Sequence, residues 1–160
     1  MIKPVAIVVI IFIFCLAFSS SDENAYKIIE AATPGILGAI LGGITAGLSI
    51  IFSVLLTVTS TNATKIKLSS FMGFISSLRV DVLALLACLV ASLLLPYLRV
   101  TGIPLLNYPI HELVPDRHTF YTALQLTTIS VSVAIIVEVF NVMFGLFKYF
   151  SKLKDEQDIE

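Results

Sequence analysis

Glu138 is the residue with the clearest chemical potential, because the sequence places this carboxylate inside a long apolar stretch. Small and polar residues share its helical face at intervals of three or four: Thr127, Ser130, Ala134, Asn141 and Gly145. A charge at the centre of a membrane helix costs roughly 2.5–3.5 kcal/mol on insertion scales, so such residues usually face protein or water. Glu138 is therefore a candidate pore-lining group, proton site or gating switch. A protonated carboxyl that hydrogen-bonds a neighbouring helix is the structural alternative.

Large apolar residues occupy the opposite face of the same stretch, and this composition predicts contact with lipid. They are Ile129, Ile136, Phe140, Met143 and Phe147. Because the two faces differ so clearly, we expect Glu138 to point into the protein or into a water-filled lumen.

Motifs for catalysis and cofactor binding are absent from the sequence. There is no Walker A loop, no H-E-x-x-H and no C-x-x-C. The segment His111–His118 contains two histidines and two acidic residues, but their spacing matches no metal-ligand motif. We therefore expect no enzyme activity, no cofactor and no metal. The net charge of −1 gives no general attraction to nucleic acid, so we expect no direct nucleic-acid partner.

Four apolar stretches predict an all-α integral membrane protein built as a four-helix bundle. They lie at residues 4–20, 35–58, 81–98 and 123–147, approximately. About 20 apolar residues cross roughly 30 Å of hydrocarbon as a helix, and the first stretch reaches that length only with its flanking residues. The composition agrees, because 58% of the 160 residues are hydrophobic and 13% are charged. We expect one transmembrane domain over residues 1–160.

The basic residues predict the orientation of the bundle. Lys3 precedes the first stretch, the second loop contains Lys65, Lys67 and Arg79, and the segment 148–160 contains three further lysines. Basic residues concentrate on the cytoplasmic side, so both termini are predicted to lie there. Residues 148–160 are predicted to be a cytoplasmic tail whose acidic end, Asp155–Glu160, is solvated and mobile. The first stretch resembles a signal peptide, and we interpret it as an uncleaved signal anchor.

The second stretch carries a narrow face of small residues at intervals of three or four: Gly35, Gly38, Gly42, Ala46, Ser49 and Ser53. Small residues let membrane helices approach closely. The opposite face carries large apolar residues: Leu37, Ile40, Ile44, Leu48, Ile51 and Leu55. The small-residue face is therefore predicted to be either a seam between subunits or a packing surface within one subunit.

The third stretch repeats this division into two faces. Asp81, Ala84, Cys88 and Ser92 lie on one face, and the other carries leucine and valine. Asp81 is predicted to be a helix-start residue or an interfacial ion rather than a buried charge. Pro96 is predicted to kink or end the helix, because proline removes a backbone donor.

The segment Lys65–Arg79 is predicted to be a short amphipathic helix on the inner membrane face. Its apolar residues follow the helical period and form a candidate docking surface for a partner: Leu68, Phe71, Met72, Ile75 and Leu78. Continuation of the third span into the cytoplasm is the alternative.

Several parts of the chain resemble KwaA, the small membrane subunit of the Kiwa anti-phage system of bacteria. The resemblance lies in the segment 78–83, Leu95-Pro96 with Arg99, Gly102-Ile103-Pro104 and the helix with Glu138. It implies a homotetramer in the bacterial inner membrane and a cytosolic partner similar to KwaB. No residue roles are carried over from it.

Two functions follow as hypotheses. The first is an oligomeric inner-membrane sensor or scaffold of an anti-phage defence system, which recruits or controls a cytosolic effector. The second is a pore-forming protein, such as an ion channel, a holin or an abortive-infection effector, with Glu138 lining the path. A secondary transporter is disfavoured, because no inverted repeat is visible. Membrane lipid and other copies of the chain are the remaining expected partners.

Overall fold

A computed structural model describes residues 2–61, 68–102 and 115–157, and these residues form four α-helices without any strand. Helix α1 is Ile2–Phe18, α2 is Glu23–Thr61, α3 is Leu68–Thr101 and α4 is Arg117–Gln157. The prediction of an all-α fold is confirmed. Helices are expected here, because each unpaired backbone group in hydrocarbon costs several kcal/mol.

Three of the described helices are long and apolar enough to cross a membrane. The spanning parts are Glu23–Ser53, Gly73–Thr101 and Arg117–Leu146. Large apolar side chains such as Ile36, Leu94 and Phe144 are exposed along them, as lipid contact requires. The chain is thus a multi-pass membrane protein. The apolar part of α1 is shorter, at Val5–Phe18, and its role as a fourth span stays a prediction.

Helix α2 begins at Glu23, well before the predicted start at residue 35. A carboxylate oxygen of Asp22 accepts the Asn24 N–H at 2.8 Å and so caps the helix start. Pro34 lies inside the helix. The hydroxyl of Thr33 donates to the Ile29 carbonyl at 2.6 Å, next to the hydrogen bond that proline cannot make. The longer helix follows from these local hydrogen bonds.

Helix α3 corrects two predictions. The described part of Lys65–Arg79 is continuous with the third span, so it is not a separate interfacial helix. Pro96 does not end the helix, which continues to Thr101. Gly102 follows with φ 71°, and its N–H donates to the Leu98 carbonyl at 2.8 Å. A glycine in the left-handed region is the usual stop for a helix, and it acts here rather than the proline.

The described chain divides into two compact units. Unit 1 comprises Met1–Ala39 and Leu86–Val133, and unit 2 comprises Ile40–Leu85 and Ala134–Glu160. The buried cluster of unit 2 is apolar and contains Ile44, Leu78, Leu85 and Val139. Several of the buried residues of unit 1 are polar: Ser92, Arg99, Thr122, Gln125 and Ser132.

Helix α4 extends to Gln157, about ten residues beyond the apolar stretch that the sequence predicts to end near residue 147. Residues 148–160 were predicted to be a cytoplasmic tail with a solvated, mobile end at Asp155–Glu160. Its backbone is helical as far as Gln157, because no glycine or proline interrupts the sequence after Gly145.

Candidate functional site

Helix α3 turns its small and polar face inward, as the sequence pattern indicates. Asp81 and Ser92 are buried, whereas Leu83 and Leu94 of the opposite face are more than half exposed. The hydroxyl of Ser92 donates to the Leu89 carbonyl at 2.8 Å, so its polarity is satisfied within the helix.

Helix α2 shows the reverse arrangement. Leu37 and Ile44 of its large apolar face are buried. The small-residue face is exposed or half-buried along its whole length: Gly35, Gly38, Gly42, Ala46, Ser49 and Ser53. A Cβ atom added at Gly38 or Gly42 would have no other atom within 4 Å. Close packing of this face within one subunit is therefore not found at these glycines, and a seam between subunits remains.

Helix α4 also leaves much of its polar stripe uncovered. Ser130, Glu138 and Asn141 are exposed, and Thr127 is buried, with its hydroxyl bonded to the Ala123 carbonyl at 2.7 Å. The Oγ of Ser130 lies 3.7 Å from the Sγ of Cys15.

The opposite face of α4 was predicted to contact lipid, but Ile136 and Met143 pack against the buried cluster of unit 2. Phe140, in contrast, is 53% exposed. The cluster is built from leucine, isoleucine and valine, which large apolar side chains of α4 can fill. Two members of this face therefore belong to the interior.

Glu138 lines an open groove of about 600 Å³ in unit 2. The other lining residues come from α3 and α4: Phe74, Ala134, Val137, Asn141 and Val142. Phe74 packs against the buried side chain of Leu146. The carboxylate and amide thus share one concave surface, which can accept hydrogen bonds from water, a cation shell or another chain.

Asp81 is a second carboxylate close to Glu138, and the two groups interact electrostatically. Asp81 is 8% exposed, and its Oδ2 has no hydrogen-bond partner. The pair forms the acidic part of the candidate site.

The candidate docking residues are only partly described. Leu68, Phe71 and Met72 have side chains outside the described part of the structure. Ile75 is half-buried and packs with Phe74 and Ile51 around Leu146. Ile75 therefore contributes to packing within the chain.

A buried cationic cluster in unit 1 was not predicted. The Cζ of Arg99 lies 3.7 Å from the centroid of the Tyr26 ring, and Arg99 is 6% exposed. Arg117 donates to the carbonyls of Arg99 and Val100 at 2.6 and 2.7 Å. Each arginine stands near a helix end in the sequence, but this position did not predict that the two arginines would lie together.

Comparisons with known proteins identify no relative: no family model, no curated protein and no solved structure matches this chain.

Proposed function

We propose that the chain is the subunit of an oligomeric inner-membrane sensor or scaffold that controls a cytosolic effector in bacterial anti-phage defence. The observation that carries the oligomer is the exposure of Glu138 and Asn141 on a membrane-spanning helix. Acyl chains offer such groups no hydrogen bond, so another surface or water must cover them. A second copy of the chain is the simplest surface that would cover Glu138 and Asn141. The exposed small-residue face of α2 would let helices of two copies approach closely.

The effector part of the proposal is supported by a helix that continues past its apolar stretch. Helix α4 ends at Gln157, whereas the apolar stretch of its sequence ends near residue 147. This extension is about 15 Å long at 1.5 Å per residue. The predicted orientation places it in the cytoplasm, where it offers a surface to a soluble protein. The chain itself has no catalytic role in this proposal.

The defence role is supported by the resemblance to KwaA alone. That resemblance gives the expectation of a tetramer and of a partner similar to KwaB. A genomic neighbour that encodes a soluble protein would strengthen it.

The test is a phage plaque assay in cells that carry the chain and its genomic neighbours. A variant with Lys152→Glu and Lys154→Glu changes the α4 extension, and Lys27→Glu is the control at the opposite end of the spans. Protection should fall in the first variant and persist in the second, with equal amounts of protein in the membrane. Equal protection by both would remove the α4 extension from the docking surface.

A pore is the second candidate, because the exposed carboxylate and amide of the groove could line a polar path. Liposomes that contain the purified chain alone distinguish the two functions. A scaffold releases no trapped ions, whereas a pore does, and its flux falls with Glu138→Gln. Ion flux from the chain alone would therefore contradict the scaffold.

A further inference from the structure

Tyr26 of α2, Arg99 near the end of α3 and Arg117 at the start of α4 form a cluster of hydrogen-bond donors in unit 1. We refer to these residues as the donor cluster. Tyr26 is 1% exposed and Arg99 is 6% exposed, so both are buried. The ring of Tyr26 covers one face of the Arg99 guanidinium. The cluster is distinct from the acidic groove and plays no part in the proposed function.

The donors of this cluster lack acceptors. The Nε and Nη2 of Arg99, the Nε of Arg117 and the hydroxyl of Tyr26 are buried and have no hydrogen-bond partner in the described chain. The Nη2 of Arg117 donates to the carbonyls of Arg99 and Val100. A buried guanidinium without a counter-ion strongly destabilises a fold. A negatively charged group with several acceptor oxygens would satisfy the donors that have no partner among the described residues.

We propose that the donor cluster binds a phosphate oxyanion, supplied by a phospholipid headgroup or by free phosphate. A planar guanidinium matches two phosphate oxygens, and its hydrogen atoms point along its plane, away from the face that Tyr26 covers. Thr101 and Arg117 end the spanning parts of α3 and α4, at the level where headgroups lie. Neighbouring side chains shift on binding, because the unpartnered atoms are buried.

Glu30 is the internal competitor for this role. It stands one helical turn after Tyr26, is exposed, and is close enough to interact with Tyr26 electrostatically. If its side chain moved inward, its carboxylate would neutralise Arg99 without any ligand. A test of the donor cluster must therefore separate Glu30 from phosphate.

The test uses the full chain, purified in detergent and freed of lipid. Phosphatidylglycerol, phosphatidylethanolamine, diacylglycerol and inorganic phosphate are added separately, and the shift in Tm and the bound mass by native mass spectrometry are recorded. Arg99→Gln removes the charge, and Arg99→Lys keeps it but loses the planar fork. Lys27→Gln is the matched control, because Lys27 is an exposed cation next to Tyr26.

Both phospholipids should raise the Tm of the wild type and of the Lys27→Gln variant, and diacylglycerol should not. The apparent affinity should fall roughly tenfold or more in Arg99→Gln and by less in Arg99→Lys. If inorganic phosphate gives the same rise in Tm, the donor cluster binds phosphate, and its ligand is free phosphate rather than a lipid headgroup.

Equal affinity of the wild type and both Arg99 variants for every phosphate probe would overturn the proposal. So would a wild type that binds none of them. A Glu30→Gln variant that loses as much stability as Arg99→Gln, without phosphate binding in the wild type, would identify Glu30 as the counter-ion. If Arg99→Gln fails to fold, the comparison of Arg99→Lys with Lys27→Gln decides.

Discussion

The two units contain segments of the same three long helices but bury different chemistry. Unit 2 packs Ile44, Leu85 and Val139 into an apolar cluster. Unit 1 buries Ser92 and Gln125 completely, and both amide atoms of Gln125 lack a partner. Helix association in lipid depends on close packing and hydrogen bonds rather than on burial from water. Unit 2 therefore has a largely apolar interior, whereas the interior of unit 1 contains several polar side chains.

The unpartnered charged groups differ in the same way. In unit 1 they are guanidinium donors, whereas in unit 2 the Oδ2 of Asp81 is a carboxylate acceptor. The two units therefore leave buried atoms of opposite charge without partners among the described residues.

The largest expected effect tests the apolar interior of unit 2. Leu85 is 2% exposed within the buried cluster, so Leu85→Ala leaves a cavity. We expect a loss of about 2 kcal/mol in the free energy of unfolding, because the unfolded helices also remain in an apolar medium. Unfolding by increasing mole fractions of dodecyl sulfate, followed by proteolysis, measures it.

Two matched variants sharpen this measurement. Leu83→Ala removes a side chain that is 53% exposed and should change stability by less than about 0.5 kcal/mol. Ser92→Ala in unit 1 removes a hydroxyl bonded only to its own helix and should also cost little. If Ser92→Ala lowered the free energy of unfolding as much as Leu85→Ala does, the contrast between the apolar interior of unit 2 and the polar interior of unit 1 would be wrong.

The next effect concerns the end of α3 in unit 1. Gly102 has φ 71°, and a Cβ atom there would lie 3.2 Å from the Nη1 of Arg117. Gly102→Ala should cost about 1–2 kcal/mol for the left-handed conformation and displace the Arg117 guanidinium. Gly43→Ala is the control, because its Cβ would have no other atom within 4 Å and helix interiors favour alanine. The same unfolding assay should show a loss for the first variant only.

A smaller effect is expected at the small-residue face of α2. Gly42→Leu should leave the monomer folded and weaken self-association roughly tenfold, since nothing within the chain occupies this position. Gly47→Leu should instead disturb the monomer, because a Cβ atom there lies 3.7 Å from the Cε of Met143. Light scattering and cross-linking measure the assembly. An oligomer that survives Gly42→Leu unchanged would remove the seam at that residue.

The smallest structural effect is expected at Glu138. Glu138→Gln keeps the shape and the hydrogen-bonding groups, so assembly should change by less than about 0.5 kcal/mol. If Glu138 is an ion or proton site, this variant should abolish ion flux or protection against phage. If its role is structural, Gln should be tolerated and Glu138→Leu should weaken assembly. Equal assembly and activity in the wild type and in both variants would contradict both roles.

Sequence periodicity identified the faces of the helices but not their neighbours. Periodicity separated the two faces of α3, and Leu83 is exposed, but the prediction for Asp81 was wrong because this residue is buried in the middle of the helix. For α2 the two faces were found, yet whether the glycines pack inside the chain stayed open. In lipid the exterior of a bundle is as apolar as its interior, so hydropathy cannot assign a face to one or the other.

Ile136 and Met143 show this limit directly. Their apolar face suggested lipid contact, but they pack in unit 2 and leave Glu138 exposed. The pairing of Tyr26 with Arg99 has the same origin, because residues 73 positions apart meet only when α2 packs on α3. No local pattern contains that information.

The sequence by itself determined that this chain forms long helices in a membrane. Hydrophobic length and the cost of unpaired backbone groups leave no other regular structure for a polypeptide of this composition, apart from a closed barrel. The tertiary structure decided which polar groups are buried, because burial depends on the neighbouring helix. It placed Arg99 under the ring of Tyr26 and left Glu138 in an open groove, and those two placements carry the proposals made for this protein.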